Sequence, residues 1–215
     1  MIALPTRWLD LGCHYGFFSL YLALLRKRSG LVEPLRALLV DADSRVKEGV
    51  SVLLQLNQLA DQANFLHGAI SVGTGMISFE ESDTMSSALT TVNENKTVAA
   101  RKDEVIKSGI VEAHEVPIID QDTIMAKLAP PYDLVKIDVE GGEYDFLVAY
   151  DRILDATQNL IIEWHSWHRG GGSAQQIVQM LESRGFELLS TVQEEKVCSQ
   201  VDPTMTVGVY LFGKV

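Results

Sequence analysis

Short apolar runs alternate with longer helical patterns along most of the chain, and this order constrains the fold more than any other feature. The predicted strands are 7–11, 37–41, 64–70, 133–138, 159–163, 186–191 and 206–212, and the predicted helices are 17–28, 44–59, 143–150 and 173–184. Apolar runs with helices between them are typical of parallel strands that are buried on both faces. The sequence therefore predicts an α/β protein with a mostly parallel sheet and helices on both faces.

The last two predicted strands lie close together in the sequence. About 14 residues, among them Cys198 and Pro203, separate 186–191 from 206–212. This segment is short for the crossover helix that joins parallel strands, so the last strand is expected to be antiparallel. Six parallel strands followed by one antiparallel strand predict a seven-stranded sheet with the Rossmann-like fold of class I methyltransferases.

The length of 215 residues fits a single domain, so we expect 1–215 to form one methyltransferase domain. The segment 71–115 departs from the alternating order, since it holds Gly73, Gly75 and a charged run from 93 to 107. A structureless segment of this length is unusual in a compact domain unless it is functional or disordered. We expect an insertion that is either a solvated hairpin or a lid over a substrate.

The chain is acidic, with 29 Asp and Glu against 18 Lys and Arg and a formal net charge of -11. Nucleic acids and anionic membranes are polyanions, so this charge argues against both as the main partner. Two cysteines are too few for a disulfide framework, and no apolar run approaches the roughly 20 residues of a membrane span. The first residues also lack the long apolar stretch of an export signal. A cytoplasmic location is therefore expected.

A glycine turn follows the first predicted strand, in the segment DLGCHYG at 10–16. Gly12 and Gly16 let the backbone approach a nucleotide-type cofactor, and the next helix offers free N–H groups. The carboxylate of Asp10 disfavours the pyrophosphate of a dinucleotide but suits the cationic S-adenosylmethionine. Asp41 and Asp43 end the second strand, where an acid accepts both ribose hydroxyls. Together these residues predict a site for S-adenosylmethionine.

An acidic turn follows the fourth predicted strand, in the segment VKIDVEGGE at 135–143. Asp138, Glu140 and Glu143 fall at the carboxyl end of a buried strand, which is where open α/β sheets bind ligands. Crowded carboxylates repel one another unless a cation, a proton or a hydroxyl-rich ligand shares them. Glu163 and His165 end the next strand on one face of the extended chain. His165 is a general base, a metal ligand or a packed, hydrogen-bonded histidine.

Taken together, these segments resemble the FkbM family of S-adenosylmethionine-dependent methyltransferases. The resemblance runs in order from about residue 7 to residue 168, and the KIDVEGGE run at 136–143 is its most specific part. The other matching pieces are the turn at 10–16, LVDAD at 39–43, AIS at 69–71 with Gly75, SSAL at 86–89, ID at 119–120 and IEWH at 162–165.

The resemblance implies methyl transfer to a hydroxyl on a small molecule, a sugar or a polyketide-type acceptor. It implies that Asp10, Gly12 and Gly16 hold the methionine part of the cofactor, that Asp41 binds the ribose, and that 68–70 lie near the adenine. The second strand ends in Asp41 and Ala42 where the family has Glu-Pro, which makes Asp43 a second candidate for the ribose. The implied cofactor-binding residues are Asp10, Gly12, Cys13, His14, Gly16, Asp41, Ala42, Gly68, Ala69 and Ile70.

Methyl transfer to a hydroxyl needs a base within hydrogen-bond reach of the acceptor. His165 or Asp138 is favoured among four candidates, which are Asp138, Glu140, Glu143 and His165. In a second version of the mechanism, a divalent metal is held by Asp138, Glu163 and His165. If a lid covers the site, it is expected to come from 71–115 or from the partner subunit of a homodimer. Two other functions stay open, an NAD-type Rossmann oxidoreductase and a non-catalytic module that retains the fold.

Overall fold

The computed structural model describes residues 3–82, 88–89, 110–166, 173–197 and 206–215. The strands in these residues are β1 (Arg7–Leu11), β2 (Arg36–Asp41), β3 (Ala63–His67), β4 (Met76–Ser82), β5 (Ala88–Leu89), β6 (Ile110–Pro117), β7 (Leu134–Ile137), β8 (Asn159–His165), β9 (Phe186–Val197) and β10 (Thr206–Lys214). The helices are α1 (Phe17–Arg28), α2 (Val46–Leu56), α3 (Gln121–Lys127), α4 (Glu143–Ala149), α5 (Asp151–Asp155) and α6 (Ala174–Glu182).

The main sheet has seven strands in the order β3-β2-β1-β7-β8-β10-β9. The five strands from β3 to β8 pair in parallel, whereas β10 runs antiparallel to both of its neighbours. The predicted mostly parallel sheet with an antiparallel last strand is therefore confirmed. It is the arrangement of class I methyltransferases, and it follows from the short connection between β9 and β10, which leaves little room for a crossover.

The central strands are apolar because helices cover both of their faces. On one face, α1 and α2 pack over a cluster that includes Trp8, Leu39 and Leu134. On the other face, α3 to α6 pack over a larger cluster that includes Leu9 and Leu11. Successive side chains of a strand point to opposite faces, so β1 contributes to both clusters. The prediction of helices on both faces is confirmed.

Two of the predicted strands end three or more residues away from their predicted ends, whereas the other strand bounds agree within two residues. β3 ends at His67 because its partner β2 ends at Asp41, which is opposite His67 in the register. The backbone at Gly68 then packs closely against Ile119, and a Cβ at Gly68 would lie 2.5 Å from the Cγ1 atom of Ile119. The chain then makes only an isolated parallel bridge between Ala69 and Ile118. β9 continues to Val197 because the long antiparallel β10 pairs along its length, with register shifts that absorb the irregular spacing.

The described part of 71–115 forms a second, antiparallel sheet in the order β5-β4-β6. At its base, Phe79 and Val116 pack with Ala69, and Ala42 packs against this cluster. The small sheet therefore stands beside the ends of β2 and β3. Residues 83–87 and 90–109, and with them Ser86 and Ser87, lie outside the described residues, as do Cys198 and Pro203. The role of 71–115 as a lid stays a prediction.

Candidate active site

The carboxyl ends of β1, β2, β7 and β8 lie side by side and bring the predicted site residues to one edge of the sheet. In the register of the strands, Asp10 is opposite Lys136, which is opposite Ile161 on its other side. The glycine turn follows β1 and the acidic turn follows β7, so the two turns are neighbours. The edge beyond the carboxyl ends of the strands is where open α/β sheets bind ligands.

The glycine turn depends on Gly12 and Gly16, which have φ angles of 71° and 77°. A Cβ at Gly12 would lie 1.6 Å from the carbonyl oxygen of Asp138, and one at Gly16 would lie 2.8 Å from the Cδ2 atom of Leu39. Left-handed backbone is costly for residues with a Cβ, and these contacts leave no space for one. Gly12 therefore allows the turn to press against the acidic turn, and Gly16 allows it to pack closely on β2.

Asp41 holds the glycine turn from the neighbouring strand. Its carboxylate accepts the N–H of His14 at 2.6 Å and the N–H of Asp43 at 2.8 Å. Burial raises the pKa of the Asp41 carboxyl, against the two hydrogen bonds. Asp43, the second candidate for the ribose, instead accepts both the N–H and the guanidinium of Arg45. Of the two candidates for binding the ribose, Asp43 is therefore paired with a cation of its own turn, whereas Asp41 accepts backbone N–H groups.

Cys13 and His14 occupy the middle of the glycine turn in contrasting environments. Cys13 is buried with Trp8 and Leu39, and its Sγ atom donates to the carbonyl of His14 at 3.4 Å. Burial raises the pKa of the Cys13 thiol well above its ordinary value, with the charges of Asp10 and Asp41 adding to the effect. The thiol is therefore unreactive. His14 is exposed, and its ring packs edge-on against Tyr15.

The residues predicted to lie near the adenine follow the ends of β2 and β3. The N–H of Gly68 donates to the carbonyl of Asp41 at 2.8 Å, which places 68–70 beside the end of β2. Ala69 and Ile70 are buried, and their side chains belong to apolar clusters. The structure therefore brings these residues next to Asp41 and Ala42, with the side chains of Ala69 and Ile70 turned into the core.

Asp10 is enclosed, in contrast to the expectation of a carboxylate that faces the cofactor. It is 0% exposed; its Oδ2 atom accepts the Ser19 hydroxyl at 2.7 Å, and its Oδ1 atom lies 3.6 Å from the Nζ atom of Lys136. The Ser19 hydroxyl in turn accepts the indole N–H of Trp8 at 2.9 Å. Burial raises the pKa of Asp10, against the charge of Lys136, and its negative charge is compensated inside the protein.

The acidic turn surrounds His165 with carboxylates. Glu143, which is 0% exposed, accepts the backbone N–H groups of Val139 and Gly141 at 3.1 Å and lies 2.9 Å from the Nδ1 atom of His165. On the other side of the ring, the Nε2 atom lies 3.6 Å from Glu140. Glu140 has a φ angle of 52°. The left-handed backbone of this turn thus places His165 between a buried carboxylate and a partly exposed one.

These contacts set the protonation of the cluster. Burial by itself lowers the pKa of His165, but the hydrogen bond and charge of Glu143, with the charges of Glu140 and Asp138, outweigh it and raise the pKa to about 9. Burial raises the pKa of Glu140 to about 7, although the charge of His165 opposes this. At pH 7 the imidazole is therefore protonated and accepts no further proton. Glu140 is the group that changes its charge near neutrality.

A comparison with known families identifies the chain. The family model described as the methyltransferase FkbM domain matches residues 10–188. The chain belongs to the FkbM methyltransferase family. This confirms the resemblance seen in the sequence, and it favours methyl transfer over the oxidoreductase and non-catalytic alternatives. A search of curated proteins gives no match.

Solved structures support the fold of this FkbM methyltransferase. The methyltransferase FkbM from Methylobacillus flagellatus matches with a TM-score of 0.56 at 13% identity, over 96% of this chain and 44% of that chain. Magnesium protoporphyrin IX methyltransferase from Synechocystis, solved with bound S-adenosylmethionine, matches with a TM-score of 0.52 at 12% identity, over 99% of this chain and 72% of that chain. At these identities the likeness shows the class I methyltransferase fold.

S-adenosylmethionine is the cofactor that membership of the FkbM family supports, and the residues at the glycine turn fit it. A carboxylate offers about four acceptor positions, and the two N–H groups bound to Asp41 leave capacity for ribose hydroxyls. Gly12 and Gly16 provide backbone without side chains between Asp41 and the acidic turn. In this arrangement Asp41 would hold the ribose, and the turn at 12–16 would hold the methionine part.

The metal version of the FkbM site has a geometric basis. Asp138, Glu163 and His165 each offer one ligand atom, and these atoms all lie within 4.8 Å of one another. The Nδ1 atom of His165 is paired with Glu143 and its Nε2 atom lies 3.6 Å from Glu140, so a metal on the ring would replace one of these contacts. Asp138 is also shared, since its Oδ2 atom lies 3.2 Å from the Nζ atom of Lys136. A metal on these residues stays a prediction.

Two residues of the FkbM site, Lys136 and Ser19, were not predicted to contribute to it. Both contact Asp10, and Lys136 also contacts Asp138. The one sequence signal for Lys136 is a charge inside an otherwise apolar strand, at 134–137. A charged residue in a buried strand needs a partner, which is a reason to look for one on the neighbouring strand.

Proposed function

We propose that the protein transfers the methyl group of S-adenosylmethionine to a hydroxyl of a small molecule, a sugar or a polyketide-type acceptor. The observation that carries this proposal is the cluster of Glu140, His165 and Glu143, which provides a proton acceptor of suitable pKa beside the glycine turn. Membership of the FkbM family supports methyl transfer in general, whereas the proposal that a hydroxyl is the acceptor rests on this cluster.

The bound cofactor supplies an already activated methyl group, so the protein has to align the acceptor oxygen and take up its proton. Glu140 is the proposed base, because its carboxylate is partly exposed and its pKa of about 7 lies near the pH at which it would act. Glu143 fixes the orientation of His165 through the 2.9 Å contact to Nδ1. The imidazolium of His165 in turn holds Glu140 and balances its negative charge.

The charge at this edge supports the choice of acceptor. Asp138, Glu140 and Glu163 are partly exposed carboxylates, which accept hydrogen bonds from hydroxyls and repel phosphates. Burial raises the pKa of Glu163, and the charge of Asp138 raises it further. We therefore propose a neutral, hydroxyl-bearing acceptor and neither a nucleic acid nor a membrane surface as partner.

The proposal is tested with purified protein, S-adenosylmethionine labelled on its methyl group, and a panel of hydroxyl-bearing acceptors. E140Q is expected to lower kcat by about 100-fold or more, since general bases contribute roughly 10²–10⁴. The exposed Glu182 on α6 provides the matched control E182Q, which is expected to keep wild-type kcat. Transfer to amine or nucleic-acid acceptors only, or an E140Q enzyme as active as wild type, would contradict the proposal.

Cofactor binding is tested separately by thermal shift. S-adenosylmethionine and S-adenosylhomocysteine are expected to raise the melting temperature, whereas NAD is not, because a ligand stabilises only the fold that binds it. Stabilisation by NAD alone would favour an oxidoreductase, and no shift with any of the three would favour a non-catalytic module.

We also propose a location and an assembly state for the protein. No helix in the described parts of the chain is long and apolar enough to cross a bilayer. Cys13 is a free, buried thiol, which suits a reducing compartment, so we propose a cytoplasmic location. A homodimer, in which a partner subunit helps to cover the site, is checked by light scattering; a mass of one chain at assay concentrations would exclude it.

A further inference from the structure

Lys136 connects the two halves of the site from the centre of the sheet. Its side chain is 12% exposed, and its Nζ atom lies 2.5 Å from the carbonyl oxygen of Gly12, 3.2 Å from Asp138 and 3.6 Å from Asp10. An ammonium group has three N–H donors. Two acceptors lie within hydrogen-bond distance, one in the glycine turn and one in the acidic turn, and Asp10 in β1 is close enough for an ion pair.

We propose that Lys136 is a positioning residue. It fixes the glycine turn relative to the acidic turn, so that the methyl group of the cofactor and the acceptor oxygen are aligned for transfer. The inference rests on the proposed binding of S-adenosylmethionine at the glycine turn. Because its side chain is largely buried and already bound to both turns, Lys136 is proposed to act on the ligands through these contacts.

The geometry at Gly12 shows why a donor is needed at this point. Gly12 has left-handed backbone, and its α-carbon faces the carbonyl oxygen of Asp138 so closely that a Cβ would lie 1.6 Å from it. Two backbone carbonyls, those of Gly12 and Asp138, thus belong to turns that are pressed together. The ammonium of Lys136 binds the first carbonyl and the side chain of Asp138, and so joins both turns through a single cation.

A role as a counter-ion alone does not account for these contacts. Neutralising Asp10 requires one positive charge near its carboxylate, and the 3.6 Å contact supplies it. The shortest contact of Lys136, however, is to the uncharged carbonyl of Gly12 at 2.5 Å. A double variant separates the two roles. D10N removes the buried negative charge, so a counter-ion is no longer needed. Replacing Lys136 in that background then leaves only one loss, that of the donor to the Gly12 carbonyl.

The experiment compares K136M, D10N, D10N/K136M and the exposed control K127M. Affinity for S-adenosylhomocysteine is measured by calorimetry and stability by thermal unfolding. K136M is expected to lose stability, because it leaves the buried carboxylate of Asp10 unpaired. D10N/K136M is expected to regain most of that stability but to bind about 10–100-fold more weakly than D10N, the range for a lost hydrogen bond to a charged group. K127M is expected to match wild type.

Wild-type affinity in a folded D10N/K136M would overturn the positioning role and leave Lys136 as a counter-ion. D41N distinguishes this outcome from a misplaced cofactor. If D41N weakens the binding of S-adenosylhomocysteine and the Lys136 variants do not, the positioning role of Lys136 is refuted, whereas the proposed cofactor site at the glycine turn is supported. If D41N also binds like wild type, the proposed location fails as well. In active preparations, the KM for S-adenosylmethionine is expected to rise in D10N/K136M by a larger factor than kcat falls.

Discussion

The pair formed by His165 and Glu143 is expected to make folding stability depend on pH, and E143Q is expected to remove most of that dependence. The pKa of His165 is raised from 6.5 to about 9 in the folded protein. Because the folded state holds the proton more tightly than the unfolded chain, the stabilisation is complete below about pH 6.5 and is lost as the pH rises through 9. At about 1.36 kcal/mol per pH unit, the full effect is roughly 3 kcal/mol.

The measurement is urea unfolding followed by circular dichroism, from about pH 7.5 to pH 9. Glu140, with a pKa raised to about 7, has its own loss of stability between about pH 4.5 and 7, so His165 dominates the higher window. The buried Cys13 thiol, whose pKa is raised, adds a smaller fall near pH 9 that wild type and E143Q share. Over it the wild-type free energy of unfolding is expected to fall by roughly 1.5 kcal/mol. E143Q keeps an acceptor for His165 but not the charge, and its curve is expected to be nearly flat.

E182Q, on the exposed side of α6, is the matched control and is expected to keep the wild-type slope. The reasoning is refuted if E143Q also keeps that slope, because the charge of Glu143 would then not be what raises the pKa of His165. A direct titration of the His165 ring by NMR gives a second check, and a midpoint near 6.5 in the wild type would lead to the same conclusion.

Three further predictions concern catalysis, metal and the glycine turn. In the wild type, kcat/KM is expected to rise with pH through about 7, as Glu140 loses its proton, and E140Q is expected to lack this step; a step unchanged in E140Q would assign it to another group. If Glu140 acts as the base without a metal, excess EDTA is expected to leave the rate unchanged. A loss of activity that Mg²⁺ or Mn²⁺ restores would instead support a metal at Asp138, Glu163 and His165. G16A is expected to lower the melting temperature more than G30A, since both positions have positive φ but only Gly16 has an atom within 3 Å of the added Cβ; equal losses would show that the contact with Leu39 relaxes.

The sequence predicted the edge of the sheet at which the site lies, because strand ends can be located from apolar runs. Asp138, Glu140, Glu143 and His165 were named from their positions at two such ends, and the structure brings Glu140 and Glu143 to opposite sides of the His165 ring. The preference for His165 or Asp138 as the base could not be judged from sequence. The protonation of His165 depends on its distances to carboxylates on another element, and Asp138 lies 3.2 Å from the ammonium of Lys136; spacing along the chain gives neither contact.

The sequence by itself determined the class of fold, through the alternation of apolar strands and helices and the short connection before the last strand. It also determined the family, through the KIDVEGGE run. Only the tertiary structure decided which charges face one another. It enclosed Asp10 between Ser19 and Lys136 and left Asp41 beside the turn, because pairing β1 with β7 places Asp10 next to a lysine from 126 residues further along the chain. Local pattern fixes where strands and turns occur, whereas the partner of a buried charge is set by strand order and register.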